Sequence, residues 1–162
     1  MFFKKGNKNT SVKLRYLDGI NQYARNSIVK LTLDDEKECL DINVILDKKP
    51  VIHLNYNQII AVNYFSKEEI IRKRKSVAGR AMIGGILLGQ LGAIIGGMSA
   101  INDKEKTDYD FFAVINYKSS DGEIKVLNFQ VLEGSSGWNK FLKELNSKIK
   151  KECEYEYKEV YL

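Results

Sequence analysis

"FFAVINYKSSDGEIKVLNFQVLEGSSGWNKFLKELNSKI", residues 111–149, holds two strands, a turn and a helix in that order. Phe111 to Tyr117 and Ile124 to Leu132 are rich in β-branched and aromatic residues, and Asp121-Gly122 between them is turn chemistry. Together they read as a hairpin. Beyond Ser135 and Ser136, either of which suits a helix N-cap, Trp138, Phe141, Leu142, Leu145 and Ile149 recur at helical spacing with lysines opposite. An amphipathic helix with an aromatic start, placed after a hairpin, suits the plug of a small rolled sheet.

Working outward toward the N-terminus, the chain supplies the rest of that sheet. Val12, Leu14 and Tyr16 alternate with Lys13 and Arg15, and Asp18-Gly19 then marks a turn. Val29, Leu31 and Leu33 form a second apolar face, Leu40, Ile42 and Val44 a third, and Ile52, Leu54 and Tyr56 a fourth. Ile59 to Phe65 is a more continuously apolar fifth strand. About seven antiparallel strands with one C-terminal amphipathic helix make an α+β domain over residues 11–151. This element order resembles the pleckstrin-homology-like (PH-like) barrel, in which a bent seven-stranded sheet is closed by its last helix. The resemblance covers residues 11–65 and 109–151, and a different β-rich roll capped by a helix would share the same order.

Residues 66–108 interrupt the pattern between the fifth and sixth strands. Their second half, "AMIGGILLGQLGAIIGGMSAI" (81–101), is 21 residues without a charge in a chain that is 29% charged, and six of them are glycine. Glycine costs a helix roughly 1 kcal/mol relative to alanine, so something other than local stability placed them. Ala81, Gly85, Gly89, Ala93 and Gly97 recur every four residues, beside a second row of Gly84, Gly92, Gly96 and Ala100 interrupted only by Leu88. On a helix such rows let two backbones approach closely, as in small-xxx-small association within membranes. One straight helix of this length would measure about 31 Å, enough for a bilayer core. A break at Gln90-Leu91-Gly92 would instead give a glycine-rich helical hairpin, packed on the domain or on a second copy. Eight Leu or Ile carry the hydrophobicity, which favours conditional over constitutive insertion.

The net charge is +5, and residues 66–80 carry +4 of it through Lys67, Arg72, Lys73, Arg74, Lys75 and Arg80 against Glu68 and Glu69. Basic residues beside an apolar run suit contact with anionic lipid at about 1 kcal/mol each. A solvated helix end explains them as simply. With the remaining charge nearly balanced, a nucleic-acid partner is not expected.

The longer stretch "KSVAGRAMIGGILLGQLGAIIGGMSAI" (75–101) resembles the motif of small bacterial and prophage proteins that carry PH-like domains. That motif often has a proline near its middle, where this chain has Gln90-Leu91. Some of these proteins act in abortive infection: they sense ring-shaped phage assemblies, oligomerise and permeabilise the host membrane. The resemblance implies a homo-oligomer, with membrane lipids and a phage protein assembly as partners. The alternative is a soluble module that binds a peptide or lipid headgroup and keeps its glycine segment packed.

Nothing in the spacing suggests an enzyme, a metal or a cofactor. His53 is the single histidine, on an alternating strand, and neither Cys39 nor Cys153 shows zinc-ligand spacing or proximity to it. The phosphate-cradling patterns GxGxxG and GxxxxGK[ST] are both absent. The two cysteines read as reduced thiols of a cytoplasmic protein. Residues 1–10 read as a flexible arm whose apolar run is too short for a secretory signal. Residues 152–162, rich in Glu and Tyr, read as a tail.

Overall fold

The structure is a computed structural model that describes residues 9–74, 82–101 and 110–153. The expected arm (but for its last two residues), Lys75, Arg80, Ala81 and the tail from residue 154 lie outside the described residues.

The alternating runs become strands: β1 (Ser11–Asp18), β2 (Ile28–Asp34), β3 (Cys39–Val44) and β4 (Ile52–Asn55). A single 3-10 turn leads from β4 into β5 (Ile59–Ser66), which runs directly into α1 (Lys67–Arg74). Then come β6 (Met82–Ile83), β7 (Ile86–Leu87) and α2 (Leu91–Ile101). The hairpin β8 (Phe111–Lys118) and β9 (Ile124–Val131) and the helix α3 (Trp138–Cys153) complete the order.

Seven strands form one antiparallel sheet in the order β4-β3-β2-β1-β9-β8-β5. β1 to β4 pair as successive hairpins, as do β8 and β9; β5 pairs with β8, so β4 and β5 lie at opposite edges, and β1 joins the two halves by pairing with β9. The inward residues of all seven strands share one core with Trp138, Phe141, Leu142, Leu145 and Ile149 of α3. Trp138 meets Tyr64 of β5 edge-on at 6.2 Å and stacks on Phe141 at 6.0 Å, which fixes the start of α3 beside the β5 edge. The arrangement is the PH-like α+β architecture.

Neither serine caps α3. The helix starts at Trp138 after Gly137, and the Gly137 carbonyl accepts the first helical bond from the Phe141 N–H. Gly134 and Gly137 both have positive φ, so the Gly-Ser-Ser-Gly turn sets the entry and leaves the Ser135 hydroxyl to donate to the Lys13 carbonyl.

The alternation of the early strands fails in β8 and β9, where five and four successive residues are buried. Ala113, Ile115, Leu127 and Phe129 point into the main core, while Phe112 and Val114 belong to a second cluster on the other face of the sheet. A strand covered on both faces loses its period-two pattern. Residues 82–101 provide that second cover.

Candidate functional site: an apolar glycine segment docked on the sheet

The segment begins from a well-anchored helix. Ser66 and Glu69 form a reciprocal cap at the start of α1: the Ser66 N–H donates to Glu69 Oε2 at 2.8 Å and the Glu69 N–H to the Ser66 hydroxyl at 3.2 Å. The cap directs Ile70 into the second cluster, where it is fully buried.

The first half of the glycine stretch is not helical. Met82 pairs with Leu87 and Ile83 with Ile86, around a two-residue turn in which Gly84 and Gly85 have φ of 56° and 82°. Two consecutive positive φ values define the tight hairpin turn whose twist matches its strands, and Gly-Gly satisfies it without steric cost. Gly89, at φ 56°, then turns the chain into α2. The expected helical hairpin is therefore corrected to a β-hairpin followed by one helix. The break at Gln90-Leu91 is where α2 starts.

The two rows of small residues are divided accordingly. Gly84, Gly85 and Gly89 lie off any helix, while Gly92, Ala93, Gly96, Gly97 and Ala100 lie on α2. Gly92 is buried and Gly96 half-buried, whereas Ala93 and Gly97 form an exposed pair one turn apart. Gly89 is a contact glycine of another kind: a Cβ built on it would sit 3.2 Å from the Val126 Cβ of β9.

Apolar packing holds the segment down. Ile86, Leu88, Leu91, Ile94 and Ile95 close over Leu17, Phe65, Phe112 and Val114, with Leu88 and Leu91 fully buried. A bulge in β1 between Tyr16 and Asp18 turns Leu17 outward to join them.

Two buried asparagines add direction. Asn116 of β8 receives the Leu87 N–H on its side-chain oxygen and donates its amide to the Leu87 carbonyl, both at 2.8 Å. The side chain thus offers β7 the donor and acceptor that a neighbouring strand would. Asn128 of β9, also buried, donates to the Leu88 carbonyl at 3.2 Å. Sequence reasoning missed both residues. Their signal was an asparagine in the apolar middle of each strand, two residues beyond Val114 and Val126 on the same outward face.

The expected lipid contacts are only partly placed. Arg72 is exposed on α1, Lys73 and Arg74 are its last two residues, and Lys75 and Arg80 lie outside the described residues. Among the described residues, no helix is long and apolar enough to cross a membrane.

Cys39 and His53, unrelated by spacing, do approach one another, with Asp41 between them. The Cys39 thiol donates to Asp41 and is pushed up to about 11 by burial first and by that carboxylate second. This is the reverse of what an activated nucleophile needs.

A rolled PH-like sheet with an inserted apolar glycine segment as its outer layer defines the class: a β-domain that carries its own hydrophobic appendage. A family model described as "Glycine zipper containing PH domain" matches residues 20–130, more than half of the chain, and the chain belongs to that family. Comparison with curated proteins gave no match, and neither did comparison with solved structures.

Proposed function

We propose that the chain is a conditional membrane effector, in which the packed glycine segment is the stored form and its release from the sheet delivers it to a membrane. One observation carries this reading. The uncharged segment forms a separate layer with its own cluster, while among the described residues the main core contains none from it. A piece of chain can therefore leave without emptying the domain's interior. Once released, Ile83, Ile86, Leu88, Ile94 and Ile95 would suit an acyl environment, and the exposed Ala93–Gly97 pair would suit close helix contact between copies. Arg72, Lys73, Arg74, Lys75 and Arg80 would hold the adjoining chain to anionic headgroups. The resemblance of residues 75–101 to prophage abortive-infection proteins sets the biological context of this proposal: a phage protein assembly as the trigger, oligomerisation, and permeabilisation of the host membrane.

A second reading has its own observation. The Asn116 and Asn128 bonds to Leu87 and Leu88 fit a permanently closed cover on a soluble peptide- or headgroup-binding module.

A disulfide separates the two. Gly89→Cys with Val126→Cys, in a chain whose Cys39 and Cys153 are alanine, places two sulfurs across the contact between segment and sheet. Adding Asn116→Leu loosens the segment. Dye-loaded anionic vesicles are expected to leak with the reduced protein and to stay intact with the oxidised one. Equal leakage in both states, or none in either, would overturn the effector reading.

A further inference from the structure

The β3–β4 end of the sheet lies away from the glycine segment, which packs on Leu17, Phe65, Phe112 and Val114. Cys39 and Asp41 are two residues apart on β3 and so share a face, and the register sets His53 of β4 directly opposite Asp41. Two contacts converge on one oxygen: the Cys39 thiol donates to Asp41 Oδ1 at 3.2 Å, and His53 Nδ1 lies 2.5 Å from the same atom. The sulfur, the ring nitrogen and the carboxylate oxygen all lie within 4.8 Å of one another.

We propose that Cys39 Sγ, Asp41 Oδ1 and His53 Nδ1 form a binding site for a thiophilic divalent cation of the zinc class. The donor set is one sulfur, one imidazole nitrogen and one carboxylate oxygen, the three ligand types that zinc takes, and tetrahedral zinc holds such atoms roughly 3.3–3.8 Å apart. The present separations from Asp41 Oδ1, 3.2 Å to the sulfur and 2.5 Å to the ring nitrogen, would have to open by less than about 1 Å to reach that spacing. Charge also balances, since a thiolate and a carboxylate together neutralise a doubly charged ion. The hard ions magnesium and calcium, which seek six or more oxygens, find one carboxylate here.

The setting suits entry and retention. Cys39 is buried and Asp41 largely so, which anchors two ligands on a strand paired on both sides, while the His53 side chain is 50% exposed and leaves a path and a fourth position for solvent. Lys37 is held by Asp34 at 3.0 Å and reaches only the outer Asp41 oxygen, Oδ2, at 3.9 Å, which leaves Oδ1 to the cation. Bridging Asp41 to His53 would fasten β4, a four-residue strand at the edge of the sheet. The ligand spacing escapes sequence reading because cross-strand register, not chain separation, brings His53 to Cys39.

The test uses the full chain without an affinity tag and with Cys153→Ala, so that Cys39 is its one thiol. Titration with cobalt(II) is expected to produce a thiolate-to-metal charge-transfer band that saturates at one ion per chain and is erased by zinc. His53→Asn, at an exposed position, is expected to fold normally and to weaken binding at least about tenfold, as loss of one of three ligands demands. Cys39→Ser is expected to abolish the band. Zinc should also raise the melting temperature of the parent, and raise that of His53→Asn by less at the same concentration. Absence of the band, unchanged binding by His53→Asn, or non-saturating uptake that marks an adventitious metal only would each overturn the proposal.

Discussion

At the scale of single residues, Asn116 does what no apolar side chain in its place can do. Its two bonds to Leu87 satisfy a donor and an acceptor that hairpin pairing with β6 leaves turned toward the sheet. Asn116→Leu keeps the volume but strands both groups in a largely apolar contact. Leaving one such group unsatisfied costs about 1–3 kcal/mol. The variant is expected to lose that much in urea unfolding and, under the effector reading, to bind anionic vesicles more strongly than the parent. A stability equal to the parent's would show that Asn116 does not hold the segment. The position was legible only as an oddity, a polar residue in an apolar strand. Its purpose required knowing that a second chain segment lies across that face.

At the scale of elements, α1, the β6–β7 hairpin and α2 form one unit over the sheet, and the basic residues cluster where α1 ends. Replacing Arg72, Lys73, Arg74 and Lys75 by glutamine removes four charges from the chain adjoining the apolar segment. At low salt such a cluster contributes up to about 4 kcal/mol to binding an anionic surface. Vesicle binding of the variant is expected to fall, and the deficit to shrink as salt is added. The melting temperature should stay unchanged, since Arg72 is exposed and pairs with no carboxylate among the described residues. Vesicle binding that ignores both the mutations and the salt would leave the cluster as a solvated helix end. The same unit shows where spacing misleads. Rows of glycine at every fourth position suggest one helix face, yet the Gly84-Gly85 pair, flanked by Met-Ile and Ile-Leu, is equally the signature of a two-residue β-turn.

At the scale of the whole molecule, the two clusters make different demands. Deleting residues 76–102 and closing the gap with a short flexible linker should leave the main core intact, because among the described residues none of its members lies there. The product is expected to keep β-type circular dichroism and a cooperative melt. It would also uncover Leu17, Phe65, Phe112 and Val114, an apolar patch of the kind that drives self-association. Light scattering should therefore show a dimer or larger species where the parent is smaller. A product with no cooperative melt would make the segment part of a single indivisible core.

The sequence by itself determined the seven strands, their inward faces and the helix that closes them. The first four strands and the helix rest on a short-range period, two for a half-buried strand and 3.6 for an amphipathic helix, while β5, β8 and β9 were legible from their β-branched and aromatic residues and the turn between the last two. It also isolated residues 81–101 as a foreign stretch, from charge alone. Only the tertiary structure decided what that stretch becomes. Glycine has no side chain to reveal a face and tolerates either sign of φ, so its spacing was compatible with helix and hairpin alike. The outer surface of β8 and β9 settled the matter, through the apolar face that Phe112 and Val114 present and the strand-like bonds that Asn116 extends to Leu87. The meeting of Cys39, Asp41 and His53 was fixed in the same way, by a pairing register that exists only once β3 and β4 lie side by side.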